Sequence, residues 1–166
     1  RFGSEVSTEK IIKVLDKKLN EAGKTMTHDG FQQFLGEHES KIGDTDWPVV
    51  RHLLANTYYN SIKKDTTGYL AFMAKHPVIY QNYFGAYYNN MVVRKTLTPE
   101  REALMAAWGE KGIGDNGDFQ IMFTTARLLK KSGKEKEGRA VIQKIIDKGE
   151  KYDMNVAYYK NLIKEF

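Results

Sequence analysis

The chain has 166 residues, a length that suits one domain or one domain with a fragment of another. Its apolar content of 41% favours a folded chain, and its 26 Lys and Arg exceed its 21 Asp and Glu. The absence of cysteine excludes a disulfide framework, a thiolate zinc site and CxxC redox chemistry within these residues, and no apolar run reaches the ~20 residues of a membrane-spanning helix.

The opening segment predicts the end of a strand, a turn and an amphipathic helix. The strand end and turn fall on residues 1–4, and Gly23 supplies a stop for the helix. The predicted buried stripe of this helix has helical spacing and consists of Ile11, Leu15, Leu19 and Ala22. We interpret residues 1–23 as the tail of a preceding domain or as a first helix, and residues 24–166 as the helical domain.

The next segment predicts two helices separated by a loop. Thr27 can cap a second helix, which is expected to end before Gly36. Residues 36–46 predict a loop and the most favourable domain boundary in the chain. Thr45 or Asp46 then begins a third helix.

Two aromatic-rich helices are predicted next. Asp65 or Thr66 begins the fourth helix, which ends at His76, and Pro77 can serve as the first residue of the fifth. The apolar stripe predicted for the fifth helix consists of Ile79, Tyr80, Tyr83, Phe84, Tyr87, Tyr88, Met91 and Val92.

The clearest local signal is the start of a sixth helix. Thr98 is a favourable N-cap and Pro99 a favourable first helical residue, and acidic side chains follow in the first turn. Four glycines between residues 109 and 117 predict the next loop. Leu104, Met105, Ala107 and Trp108 are predicted to form the buried face of this helix.

The last third predicts helices over residues 119–132, 135–148 and 155–165, with Gly149 ending the second of them. No segment indicates a strand more strongly than the opening residues do. The predicted fold class is therefore all-α, with eight or nine helices in antiparallel hairpins.

One predicted hairpin resembles a known repeat. Residues 119–148, with Gly133 in the turn and small residues such as Ala126 and Ala140, are similar to one helix–turn–helix unit of the tetratricopeptide repeat. No second copy appears at the 34-residue period of that family. The array is therefore predicted to be tetratricopeptide-like or irregular.

A second resemblance extends along the chain. The opening "RFGS" followed by an amphipathic helix resembles the last strand and helix of a thioredoxin fold. Residues 46–50 and the later aromatic helices resemble the helical extension of certain thioredoxin-like bacterial envelope proteins. This resemblance implies a redox CxxC upstream of Arg1 and a periplasmic or cell-envelope location, with the cytoplasm as the alternative.

The basic residues do not indicate nucleic-acid binding. Lysine dominates, with 20 Lys against 6 Arg, whereas nucleic-acid sites favour arginine and interleaved aromatics. After residue 127 the lysines alternate with acidic residues, which is typical of a solvated helix face.

No motif indicates catalysis, a metal or a cofactor. His28, His38 and His52 lack the spacing of a zinc motif, although the fold could bring them together. Residues 112–118 fit neither a calcium-binding EF-hand loop nor a phosphate-binding loop. A hydrolase built on two carboxylates across a cleft remains an alternative that only a structure can test.

The aromatic concentration between residues 58 and 88 is the candidate binding feature. A buried tyrosine needs a partner for its hydroxyl, so a run of tyrosines suggests a partly solvent-exposed groove that binds a peptide or a sugar. Adjacent tyrosines on a helix point about 100° apart, so such a pair is not expected to be buried together. Ordinary core packing is the favoured alternative. The candidate partner-binding residues are Tyr58, Tyr69, Tyr80, Tyr83, Tyr87 and Tyr88.

The sequence thus predicts a non-catalytic helical scaffold that contacts a protein partner and is appended to a thioredoxin-like thiol-disulfide protein. The alternative is a free-standing helical repeat module that binds a peptide or a glycan through the aromatic residues 58–88.

Overall fold

The computed structural model describes residues 7–43, 46–78, 83–113 and 118–166. Within these ranges the chain is all-α, as predicted, and contains nine α-helices, one π-helix and one 3-10 helix but no strand. The predicted strand end at residues 1–4 lies outside the described residues. The helices are α1 (Thr8–Ala22), α2 (His28–Glu39), α3 (Trp47–Ala55), the π-helix (Asn56–Ile62), α4 (Thr66–Lys75), α5 (Tyr83–Val93), α6 (Pro99–Gly112), α7 (Phe119–Lys131), α8 (Glu135–Lys151), α9 (Ala157–Leu162) and the 3-10 helix (Ile163–Glu165).

The chain divides into two compact units, residues 1–76 and 77–166. The division falls at the predicted end of α4, where Pro77 lacks the backbone N–H that would continue the helix. The predicted boundary at 36–46 was wrong, because its described residues lie inside the first unit. There α2 continues through Gly36 to Glu39 and buries Leu35 on its inner face.

In the first unit, α1 packs against α3 and the π-helix. Ile11, Leu15 and Leu19 are buried as predicted, whereas Ala22 is exposed. Helix α1 is thus the first helix of this unit. Its interpretation as the tail of a preceding domain stays a prediction.

The predicted caps form at the starts of helices. The Thr27 hydroxyl accepts a hydrogen bond from the Gly30 N–H at 3.1 Å. The Asp65 carboxylate accepts one from the Gly68 N–H at 2.8 Å. Each side chain satisfies a backbone donor that has no partner inside the helix.

The π-helix was not predicted. It continues directly from α3, and its wider turn is closed by the Lys63 N–H, which donates to the Tyr58 carbonyl five residues back at 2.9 Å. Tyr58 and Tyr59 are both buried, so the expectation that such an adjacent pair is not buried together was wrong here. Phe31 contacts both rings: it stacks on Tyr58 at 4.3 Å between centroids and meets Tyr59 edge-on at 5.8 Å.

In the second unit, α7 packs against both α6 and α8. Helices α7 and α8 form the predicted hairpin, and its turn contains Gly133 at a φ of 76°, which favours glycine. Thr98 and Asp118 cap α6 and α7 through their side chains. The largest fully buried side chains of this unit are Phe84, Met105, Trp108, Leu129 and Ile142.

Gly149 does not end α8, which continues to Lys151. A Cβ atom at Gly149 would lie 2.2 Å from Cγ1 of the buried Val156. Glycine therefore allows the chain after α8 to fold back closely onto the helix, and its role is close packing rather than termination.

The buried faces of α5 and α6 differ from those predicted. On α5, Phe84 and Met91 are buried, Val92 is 46% exposed, and the predicted positions 79 and 80 lie outside the described residues. On α6, Met105 and Trp108 are buried as predicted, and Leu104 and Ala107 are half-buried. None of the described helices combines the length and apolar character needed to cross a bilayer.

We expect Thr125→Val to raise the free energy of unfolding by about 1 kcal/mol, because a buried hydroxyl without a hydrogen bond is costly. Thr125 is 0% exposed, and its Oγ1 has no hydrogen-bond partner among the residues that the structure describes. Valine has the same shape and nearly the same helix propensity. Denaturant unfolding measures the change, with the half-buried Thr124→Val as control. Destabilisation by Thr125→Val would contradict this prediction.

Candidate functional site

The structure divides the candidate tyrosines between the two units. Tyr58 and Tyr69 are buried in the first, and Tyr83, Tyr87 and Tyr88 are half-buried in the second. Tyr80 lies outside the described residues.

The two tyrosines of the first unit have core environments. Tyr58 is 2% exposed, and its hydroxyl donates a hydrogen bond to the Met26 carbonyl at 3.0 Å. Tyr69 is 0% exposed, and its hydroxyl lies 3.3 Å from Nδ1 of His52. Burial, with a smaller contribution from the Asp65 charge, raises the pKa of Tyr58. Both hydroxyls are engaged inside the unit, which is the arrangement of core side chains.

The tyrosines of α5 are more accessible. The Tyr87 ring meets Trp108 edge-on at 6.4 Å between centroids. Burial raises the pKa of Tyr87 well above its ordinary value, and Tyr83 raises it further. Tyr88, one residue later, lines an open groove of the second unit.

A groove of about 620 Å³ lies beside the π-helix in the first unit. At its side the Tyr59 hydroxyl is 2.5 Å from Nδ1 of His28. Burial, followed by the neighbouring Tyr58 and Asp65, raises the pKa of Tyr59 to about 12. Tyr59 therefore keeps its proton at neutral pH and can donate it in this hydrogen bond, so the phenol is not prepared as a nucleophile.

The histidines singled out in the sequence make separate contacts. His28 bonds to Tyr59, whereas Nδ1 of the buried His38 lies 2.7 Å from the Phe34 carbonyl. His52 is buried beside Tyr69, and burial lowers its pKa to about 4. Within the described ranges no three His, Cys, Asp or Glu side chains are grouped so that they could hold a metal ion.

A second groove, of about 710 Å³, lies in the second unit. We call it the α7 groove, because α7 contributes five of its lining residues. It is lined by Tyr88, Glu102, Phe123, Arg127, Leu128, Lys130, Lys131, Glu135, Tyr158, Leu162, Glu165 and Phe166.

An aromatic cluster forms one end of the α7 groove. The Phe123 ring meets Tyr158 and Tyr159 edge-on, each at 6.1 Å between centroids. Tyr158 is 61% exposed, and the Arg127 guanidinium lies 5.7 Å from the centre of the Phe123 ring. This end therefore offers a large aromatic surface beside a cation that also faces solvent.

The charged side chains of the groove make different kinds of contact. Glu102, with a side chain only 10% exposed, forms an ion pair with Lys131. Lys130 donates to the Glu165 backbone carbonyl and lies 4.8 Å from the centre of the Phe166 ring. Residues 119–166 carry 11 Lys and Arg against 6 Asp and Glu, which equals the +5 of the whole chain. The lining of the groove is itself balanced, since it contains Arg127, Lys130 and Lys131 and also Glu102, Glu135 and Glu165.

Phe123, Arg127 and Tyr158 were not predicted as candidate binding residues. The basic residues after 127 have the pattern of a solvated face, and the predicted binding aromatics all lie between residues 58 and 88. The available signal was the pair Tyr158–Tyr159 within the basic third of the chain. Their meeting with Phe123 depends on the packing of α9, which local spacing does not reveal.

Comparison with known proteins found no matching family model, no matching curated protein and no matching solved structure. The function is therefore argued from the geometry of the two units.

Proposed function

We propose that the chain is a non-catalytic helical protein-interaction domain and that its α7 groove binds a segment of a partner protein. The observation that carries this proposal is the aromatic cluster at the end of the groove. Tyr158 is largely exposed, Phe123 supports it, and Arg127 lies over Phe123. Tyrosine and arginine are enriched among the residues that dominate binding energy in protein interfaces.

The net charge of the last third of the chain favours an acidic partner at long range. The net charge of +5 on residues 119–166 would attract an acidic partner and increase the rate of association at low salt.

The predicted association with a thioredoxin-like envelope protein is a second part of the proposal. Its support is the pattern of residues 1–23 and 46–50. The genomic reading frame upstream of Arg1 tests it: a CxxC motif about one small domain, roughly 100 residues, earlier is the expected result. A start codon directly before Arg1 would contradict this part.

The alternative function is peptide or glycan binding through the aromatics of residues 58–88. It shares one residue with the α7 groove. Of its candidate residues that the structure describes, Tyr88 lines the α7 groove, whereas Tyr58 and Tyr69 are buried. A preference for glycans over peptides at this groove would favour the alternative.

Selection from a displayed library of 16-residue peptides tests the proposed function. We expect the full chain to enrich peptides whose affinity falls about tenfold or more in Phe123→Ala and in Arg127→Glu, as is typical of residues that dominate an interface. Lys144→Glu is the charge-matched control, since this exposed residue of α8 does not line the groove. If every enriched peptide binds the groove variants as well as it binds the control, the proposed site is wrong.

A further inference from the structure

The last ten residues form a segment that is attached to the second unit without a fully buried side chain. We call residues 157–166 the C-terminal arm; it comprises α9, the 3-10 helix and Phe166. Neither helix of the arm has a buried residue, and Phe166 is half-buried. The arm therefore lies on the unit rather than in its core.

The contact face of the arm has the pattern of a helix bound in a groove. Its half-buried residues are Tyr159, Leu162, Ile163 and Phe166, and the other six are exposed. These four positions have the spacing i, i+3, i+4 and i+7, by which an amphipathic helix places its anchors in a partner's groove. The arm thus has the form of a bound peptide that happens to be covalently attached.

Helices α7 and α8 form the seat of the arm. The Phe166 ring lies over Gly138 of α8. A Cβ atom added at Gly138 would lie 2.8 Å from Cε1 of Phe166. Lys130 of α7 donates to the Glu165 carbonyl, and Arg139 of α8 donates to the Phe166 carbonyl at 3.3 Å. The hairpin therefore holds one apolar anchor, the Phe166 ring, and two backbone carbonyls of the arm. A different helix in the same place could offer its own backbone carbonyls to Lys130 and Arg139, whatever its side chains.

The connection between α8 and the arm spans residues 152–156, and its first turn caps α8. There the Met154 N–H donates to the Gly149 carbonyl at 2.9 Å, with Asp153 at a φ of 52°. Beyond Val156, the ion pair between Lys160 and Glu150 is solvent-exposed, and such pairs contribute little to stability. Release of the arm can therefore include the loss of the contact between Val156 and Gly149.

We propose that the C-terminal arm is an internal ligand, and that its seat on α7 and α8 binds an amphipathic helix of a partner protein in its place. The helix carries large apolar residues at i, i+3, i+4 and i+7, with an aromatic residue at the last position. The spacing and the aromatic anchor follow from the arm. This inference rests on the proposed function and refines its site: Phe123 and Arg127 of α7 receive the partner, whereas the arm residues that line the α7 groove, Tyr158 among them, leave with the arm.

The test uses the full chain and a fluorescein-labelled synthetic peptide of residues 155–166 as the probe. In the wild type the attached arm competes for the seat, and the apparent affinity falls with the fraction of vacant seats. We expect the release variant Leu162→Ala/Phe166→Ala to bind the peptide about tenfold or more tightly than the wild type does, by fluorescence anisotropy. The matched control is Asn161→Ala/Lys164→Ala, which changes exposed arm residues that do not line the α7 groove and should resemble the wild type.

Two further measurements identify the seat. Lys130→Ala/Arg139→Ala in the release variant should weaken peptide binding about tenfold, since both donors to the bound carbonyls are removed. A peptide with alanine at the last position should bind far more weakly than the parent peptide. A release variant that melts cooperatively yet binds the peptide no better than the wild type would overturn the inference.

A reversible lock tests the same idea without weakening the arm. The Cβ of Val156 lies 3.7 Å from an ideal Cβ at Gly149, a separation that suits a disulfide, and the chain has no cysteine of its own. In Gly149→Cys/Val156→Cys the oxidised protein should bind the peptide several-fold more weakly than the reduced protein does, because a shorter tether raises the effective concentration of the arm. Equal binding in the two redox states would count against the inference.

The oligomeric state distinguishes a partner protein from a second copy of this chain as the occupant of the seat. A wild-type chain that is dimeric in light scattering and becomes monomeric in the release variant would show that a second copy fills the seat, and the partner assignment would be wrong. Failure of the release experiment alone, with library peptides that still require Arg127, removes the internal-ligand inference and leaves the proposed function. Failure of the library selection alone removes the proposed groove site.

Discussion

Replacing Phe31 with alanine is expected to lower the free energy of unfolding by about 3–5 kcal/mol, the range observed for buried aromatic residues. Phe31 is 0% exposed and lies at the centre of an aromatic cluster in the first unit. Its ring is parallel to Tyr58 within 3° and also contacts Tyr59 and Phe72, at 5.8 and 5.9 Å between centroids. The substitution removes these ring contacts and leaves a cavity where α2, the π-helix and α4 meet.

Urea denaturation measures this loss, and hydrogen exchange should show reduced protection in the first unit. Phe34→Ala is the matched control, because Phe34 lies on the same helix but is only half-buried, with its ring against His38. We expect the control to lose about 1 kcal/mol, since truncation of a partly exposed side chain removes less buried area. Equal losses in the two variants would contradict the assignment of Phe31 to the centre of the core.

The sequence was most informative where structure is decided within one turn. Thr27, Asp65, Thr98 and Asp118 all begin helices through their own side chains, and each start could be predicted from the residue and its neighbours. The all-α class followed from the same local patterns and is confirmed. Such features depend on backbone donors three residues away or fewer, so a single sequence contains the information that specifies them.

Features that depend on distant contacts were not predictable in this way. The π-helix buries Tyr58 and Tyr59 together because Phe31, on another helix, contacts both rings. Gly149 suggested a helix end, but Val156 after the turn packs on it and the helix continues. In both cases a tertiary contact overrides a local preference, and nothing within the local segment records that contact.

The candidate site shows the same limit. The predicted tyrosines were chosen for their density in the sequence, and density is equally typical of a core, where Tyr58 and Tyr69 lie. The α7 groove instead unites Phe123 with Tyr158, which are 35 positions apart in the sequence. Only the packing of α9 brings these two residues to one surface.

The second large effect expected is a loss of stability in acid that depends on His52. This side chain is 1% exposed, and burial lowers its pKa from an ordinary value of about 6.5 to about 4. Between these two values the unfolded chain takes up a proton at His52 and the folded protein does not, so acid favours unfolding. The free energy of unfolding should therefore fall by about 3 kcal/mol between pH 7 and pH 4 through this residue alone, at about 1.4 kcal/mol for each tenfold change in proton affinity. Above pH 7 both states are neutral at His52, and its contribution is constant.

Urea titrations at several pH values compare the wild type with His52→Gln, which cannot take up this proton. The stability advantage of the wild type should shrink by about 3 kcal/mol from pH 7 to pH 4. Burial also lowers the pKa of the half-buried His76, and that contribution remains in both proteins and cancels in the comparison. Tyr69→Phe is the control, because it removes the hydroxyl 3.3 Å from Nδ1 but keeps the imidazole, and its pH dependence should follow the wild type. A difference in the free energy of unfolding between wild type and His52→Gln that stays constant with pH would contradict this prediction. It would show that His52 has the same pKa in the folded and unfolded chains, which requires that solvent reaches the ring.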